Sequence, residues 1–146
     1  MLPKDVDIKT EIVSIANIYK EIQNNTITPL PQTLTELSDS EYSDLICSIM
    51  LRIPLSDIYA YYDKDTIKLV TGNQKVFAIY LFMSDEFAYQ DNDINGYFPN
   101  LHGLKYSEFP LMYQRRIKES YIHMHIIRDG TPDDVKADLI RRFKFS

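Results

Sequence analysis

The chain has 146 residues, of which 45% are hydrophobic and 25% charged, with a net charge of -5. That balance fits one globular domain over residues 1–146 with a core of its own, and the 7 Pro and 4 Gly are too few for a collagen-like or wholly disordered chain. No apolar run approaches the roughly 20 residues of a membrane span, and the opening MLPKDVDIKTE lacks the basic-then-apolar order of a signal peptide. The single cysteine, Cys47, excludes an internal disulfide framework and a cysteine-based zinc knuckle. The expectation is a soluble, cytoplasmic protein without membrane contact.

The charge is uneven. Residues 1–110 hold 8 Lys/Arg against 16 Asp/Glu, and residues 111–146 hold 8 against 5. A basic final third can meet phosphate or an acidic partner, or it can simply form solvated helix faces. The mix is rich in Ile, Tyr, Lys and Asn, residues with AT-rich codons, as in many bacterial and phage genomes.

In chain order, residues 9–15 (KTEIVSI) read as a first strand. Ser14 then caps a helix whose Ile15, Ile18, Tyr19 and Ile22 repeat at helical spacing. Residues 23–37 read as an extended loop, with Pro29 and Pro31 blocking a helix. Ser38 and Glu41 are spaced as a capping box. They open a helix over 39–52 with the stripe Tyr42, Leu45, Ile46, Ile49 and Ile53, ended by Pro54. The runs 57–62 and 66–70, joined by Asp63, Lys64 and Asp65, carry a hairpin signal. Thr71-Gly72-Asn73 punctuates the chain before a helix over 73–84, and an acidic, Asn-rich loop covers 85–103.

Another helix begins between Ser107 and Pro110 and ends near Ser120. Residues 121–127 (YIHMHII) alternate, with Tyr121, His123 and His125 on one side and Ile122, Met124 and Ile126 on the other. A final helix starts at Thr131, with Asp133 and Asp134 at its positive end and Arg141 and Arg142 at its negative end. Strands and helices interleave, which predicts an α/β (mixed α+β) fold: a small mixed sheet flanked by helices.

The strand, tight turn and helix at 66–84 carry the most chemistry. A strand that stops at a glycine and turns into a helix presents free backbone N–H groups, which attract phosphate or carboxylate. Thr71 is placed to cap the turn, Gly72 to supply unusual backbone angles, and Gln74 and Lys75 to reach the same anion. A plain capped helix explains the same residues without a ligand.

The order of segments resembles the N-terminal domain of the GmrSD type of modification-dependent restriction enzymes, within the ParB-like, sulfiredoxin-like fold group. The residues that carry the resemblance are LPQT at 30–33, CSIMLRIPLSDIYAYYD at 47–63, LVTGNQKVFAIYLF at 69–82, YIHMHII at 121–127 and LIRRFKFS at 139–146. The resemblance implies a single ParB-like domain and a ligand site at Gln32, Gly72, Gln74, Lys75 and Arg142. It also exposes departures. The family motif reads D-G-Q-Q-R, and here Thr71 replaces the Asp, Asn73 the first Gln and Lys75 the Arg. The earlier Gln-Arg becomes Gln32-Thr33, and the family's R-x-N becomes Arg142-Phe143-Lys144. Thr can neither hold a metal as a carboxylate does nor act as a base near neutral pH. Lys keeps a charge but loses the bidentate fork of Arg. No catalytic residue, metal site or cofactor is therefore expected.

Other features have plain readings beside the functional ones. His123 and His125 have metal-friendly spacing but no evident third ligand. Asp85, Glu86, Asp91 and Asp93 lack the ligand order of an EF-hand. Arg115, Arg116 and Lys118 form a candidate nucleic-acid contact on the polar side of a helix. Cys47 reads as core. Tyr59, Tyr61 and Tyr62 suit base stacking or a hairpin face.

Three functions compete. One is a binding module that keeps the ParB-like fold without its reaction and contacts phosphate-bearing ligands, a nucleotide, nucleic acid or an acidic protein partner. The lost acid motivates it, and so does a chain that ends at Ser146, where family enzymes continue into more helices. Another is a structural or assembly protein, such as a phage virion component, acting with a protein partner or as a homo-oligomer. The third is a residual NTP-dependent nuclease.

Overall fold

A computed structural model describes residues 5–28, 38–91 and 96–144. Among these residues, five strands and five α-helices follow in order: β1 (Ile8–Ser14), α1 (Ile15–Gln23), β2 (Ile27–Thr28), α2 (Asp39–Met50), β3 (Ile58–Asp63), β4 (Thr66–Leu69), α3 (Asn73–Met83), α4 (Leu111–Glu119), β5 (Tyr121–Ile127) and α5 (Asp133–Phe143). The strands form one mixed sheet in the order β1-β5-β3-β4-β2. β1 runs antiparallel to β5, β5 parallel to β3, β3 antiparallel to β4, and β4 parallel to β2. The mixed α/β expectation holds. The two-residue β2 was not foreseen, because so short a strand leaves no alternation to read.

Alternation decides what each face of the sheet buries. Val13, Ile58, Ala60, Ile67, Leu69, Ile122, Met124 and Ile126 pack into one core with α1, α2, α3 and α4. The opposite face is covered by α5, whose Val135, Leu139 and Phe143 pack on Tyr59, Tyr61, Val70 and Ile127. Lys136 ties α5 down by donating to the Tyr62 carbonyl at 3.1 Å, and its ammonium lies over the Tyr61 ring. The hairpin tyrosines at 59 and 61 are thus under a helix.

Local signals explain the helix boundaries. Ser14 accepts from the Asn17 N–H, and the Ser38–Glu41 capping box is formed in both directions. The structure corrects the end of α2. The helix stops at Met50, and Arg52 adopts φ 61. The Ile53 N–H then reaches the Ser48 carbonyl and the Arg52 N–H the Ile49 carbonyl. This is the Schellman arrangement, with Arg where Gly is usual. Asn25 and Asp85 end α1 and α3 the same way. Ile53 consequently leaves the buried stripe and is 50% exposed.

The acidic stretch after α3 is an anchored excursion. Asp85 accepts from the Ser107 N–H and Asp91 from the Phe98 N–H, while Ser43 accepts from the Gln90 N–H. These carboxylates satisfy backbone donors, which is a structural duty. Asp93 lies outside the described residues.

Glu21 on α1 is held against the general trend. Burial and then the Glu11 carboxylate push its carboxyl above the ordinary value, with Lys9 pulling the other way. A raised carboxyl favours the protonated form in the folded state, so it costs stability as pH rises through the ordinary carboxylate range. Glu21→Gln is expected to raise the melting temperature at neutral pH. The gain should vanish below about pH 4, where the parent is protonated as well. Thermal melts at the two pH values check this, and an equal gain at both would contradict it.

Candidate functional site

The strand–turn–helix is present as read. β4 ends at Leu69, Gly72 takes φ 81 as the residue before α3, and its carbonyl accepts from the Val76 N–H at 2.9 Å. The glycine is required twice over. Its backbone is left-handed, and an added Cβ would lie 2.9 Å from Cγ1 of Ile58.

The side chains around the turn do something other than expected. Thr71 does not cap α3, which has no side-chain cap hydrogen bond. Its Oγ1 accepts from the Tyr59 N–H at 3.1 Å, while the Tyr59 carbonyl accepts from the N–H groups of Val70 and Thr71. Thr71 therefore staples the turn to β3. Lys75 is bonded across the surface to the segment before β3. Its Nζ donates to the carbonyl oxygen of Ser56 at 3.0 Å and to the Ser56 hydroxyl at 2.6 Å. Burial lowers the affinity of this ammonium for its proton, and Asp57 opposes the shift. Gln74 is exposed in the same first turn.

Arg142 lies on α5, where its Nε donates to Asp138 at 2.8 Å, and Arg141 reaches the other oxygen of that carboxylate. The two guanidinium groups hold the Asp138 carboxyl below its ordinary value. Tyr59 is the neighbour shared by the turn and by α5. It bonds Thr71 through its backbone, and its ring packs on Phe143 with centroids 4.7 Å apart. Gln32 lies outside the described residues.

A second polar constellation stands beside this one. Nε2 of His125 is 2.8 Å from Oδ2 of Asp57, and its Nδ1 is 2.8 Å from the Thr10 hydroxyl. A carboxylate can only accept, so Nε2 carries the proton, and the Nδ1 of a neutral ring accepts from Thr10. The bond from His125 lowers the Asp57 carboxyl below its ordinary range. The Tyr59 ring stacks on the imidazole at 4.9 Å. Three strands, β1, β5 and the start of β3, are thereby clamped at one point. Sequence alternation put His123 and His125 on one side, but nothing in the sequence pairs them with Thr10 or Asp57.

Next to Asp57 and His123 a cleft of about 320 Å³ opens between the α2–β3 connection and the start of β5. Ile53, Leu55 and Tyr121 give it apolar walls, and Arg52 and Glu119 add charge at its border.

No family model matches this chain, and no curated protein or solved structure is significantly similar to it. Among the described residues, no group of three or more His, Cys, Asp or Glu is placed to hold a metal ion. No helix among them is long and apolar enough to cross a membrane. Of the three basic residues on α4, Arg115 and Lys118 are exposed, whereas Arg116 donates to the Met50 carbonyl at 3.1 Å and closes the end of α2.

Proposed function

We propose that this chain is a binding module of ParB-like layout in which the strand–turn–helix serves as scaffold rather than as reaction centre. One observation carries the reading. The two side chains of the turn best suited to chemistry, the Thr71 hydroxyl and the Lys75 ammonium, are both bonded to the β3 end of the sheet, at Tyr59 and Ser56. Phosphoryl transfer needs a charge aimed at the phosphate and usually a carboxylate-held metal. A lysine tied to a carbonyl and a serine, beside a threonine, offers neither.

The ligand class that goes with this reading is a phosphate-bearing molecule, nucleic acid or an acidic protein surface. The exposed Arg115 and Lys118 of α4 supply the attraction. A cytoplasmic setting, or a virion for a phage-encoded chain, belongs to the same reading.

Phosphate release and DNA nicking, with Mg²⁺ and Mn²⁺ and beside Lys75→Ala, are expected to stay at background for both proteins. Metal-dependent turnover in the parent that disappears in Lys75→Ala would overturn the reading in favour of a residual nuclease. The second reading, an assembly component, is favoured by a specific feature. α5 packs on Ile127 but, among the described residues, the other end of β1 and β5 on that face stays open, with Ile12 65% exposed and Tyr121 61% exposed. Light scattering behind a sizing column, showing a large closed oligomer without affinity for DNA or nucleotides, would decide for it.

A further inference from the structure

The edge strand β1 holds the sequence Ile8-Lys9-Thr10-Glu11-Ile12, which is self-complementary when laid antiparallel on itself. From its geometry we infer that β1 pairs with β1 of a second copy of this chain, antiparallel, with the two Thr10 residues facing each other across a two-fold axis.

The hydrogen-bond parity of β1 makes this register available. The Arg128 N–H donates to the Asp7 carbonyl at 2.9 Å, and the Ile15 N–H donates to the Ser120 carbonyl at 2.8 Å. Both continue the register in which Ile8 faces Ile127 and Ser14 faces Tyr121. Residues of an antiparallel strand alternate between bonding one neighbour and pointing away from it. Asp7 and Ile15 bond toward β5, so Ile8, Thr10 and Ile12 direct their N–H and C=O groups to the opposite side. No strand among the described residues pairs with that side. An unpaired edge of this kind is a template for a further strand.

Charge then selects among the registers. Centring the axis on Lys9 would set Lys9 against Lys9. Centring it on Glu11 would set Glu11 against Glu11. Centring it on Thr10 sets Lys9 against Glu11 twice and Ile8 against Ile12 twice. Opposite charges directly across a strand pair attract, and like charges repel. Within one copy Lys9 and Glu11 already form an ion pair at 3.1 Å. In the pair of copies each Glu11 carboxylate is shared by two Lys9 ammonium groups, with Glu21 of α1 close to both and Lys64, Asp65, Arg128 and Asp129 around the same hollow as Lys9. On the opposite side of the strand, the 65% exposed Ile12 gains the Ile8 of the second copy as a neighbour. The expected product is one ten-stranded sheet running through both copies.

Five paired residues per copy make a small contact beside a standard interface of about 1,600 Å². The dimer is accordingly expected to be reversible, and sedimentation equilibrium of the full chain up to about 1 mM resolves it. The apparent mass should climb from 17.1 kDa toward twice that value as concentration rises. Lys9→Glu alone and Glu11→Lys alone each place like charges across the axis twice and should weaken dimerisation about tenfold or more. The double variant Lys9→Glu/Glu11→Lys restores both pairs and should dimerise like the parent. Far-UV circular dichroism confirms that each variant is folded.

The register is read by cross-linking. Thr10→Cys should form a disulfide dimer on mild oxidation, because directly opposed, hydrogen-bonded residues bring Cα atoms to about 5.5 Å. Ile12→Cys alone should not, while a mixture of Ile8→Cys and Ile12→Cys should. The native Cys47 is buried and does not compete. A monomer at every concentration would overturn the inference. So would a dimer indifferent to the charge reversals, or Ile12→Cys linking to itself as readily as Thr10→Cys.

Discussion

Gly72→Ala is expected to cost about 2–4 kcal/mol of stability, from a left-handed backbone penalty and an overpacking penalty that fall on the same atom. The φ of 81° charges the first to any residue with a Cβ. The second arises because the new Cβ would meet Cγ1 of Ile58 at 2.9 Å and Cδ1 at 3.4 Å. Ile58 is fully buried at the start of β3 and has no room to retreat. Two other glycines separate the contributions. Gly103 has φ 82 with nothing within 4 Å of an added Cβ, so Gly103→Ala should show the backbone cost alone, about 1–2 kcal/mol. Gly130 has neither constraint, and Gly130→Ala should be nearly silent. Urea unfolding of the three variants should rank them in that order. For a chain of this size the Gly72 variant should melt about 5–15 °C below the parent. Equal losses at Gly72 and Gly103 would mean that Ile58 yields and the close approach is unimportant.

Phe82→Ala should be as damaging or more so, at about 3–5 kcal/mol. Phe82 closes the other end of α3, is completely buried, and has the rings of Phe87, Tyr106 and Phe109 around it at centroid distances of 5.3, 5.8 and 5.2 Å. Truncation leaves a cavity that three stiff rings cannot collapse into, and it forfeits edge-on aromatic contacts worth about 0.5–1.5 kcal/mol each. The same rings hold the segment after α3 against the core. The loss should therefore appear as faster hydrogen exchange at the Tyr89 and Leu101 amides, with the turn at Gly72 unchanged. Phe82→Leu keeps most of the volume and should cost less than half as much. A loss below about 1.5 kcal/mol for Phe82→Ala would show that the cluster repacks freely.

Much of the fold was legible because its signals are local. The alternation of YIHMHII, the helical spacing of Ile15, Ile18 and Ile22, the Ser38–Glu41 box and the glycine before α3 each lie within one turn or one strand. Such signals need only the neighbouring residues to take effect. They were enough to place four strands, the five α-helices among the described residues and the strand–turn–helix from β4 to α3. Three helix ends were harder to read. Asn25, Arg52 and Asp85 adopt the left-handed conformation that sequence reasoning reserves for glycine.

What the side chains of the site do was decided only in three dimensions. By itself the sequence determined which residues the turn contains, and that none of Thr71, Gly72, Asn73, Gln74 and Lys75 is a carboxylate. It left open whether Lys75 would reach an anion or cross to Ser56, since Ser56 is 19 positions away and arrives only when β3 pairs with β4. It likewise showed His125 on one side of its strand, but Thr10 is 115 positions distant and Asp57 is 68. The reason is physical. A hydrogen bond acts over about 3 Å, so its partners are set by strand order and register rather than by spacing along the chain. The order β1-β5-β3 brings Thr10, His125 and Asp57 together, and the pairing of β5 with both flanking strands is a property of the whole sheet rather than of any one strand.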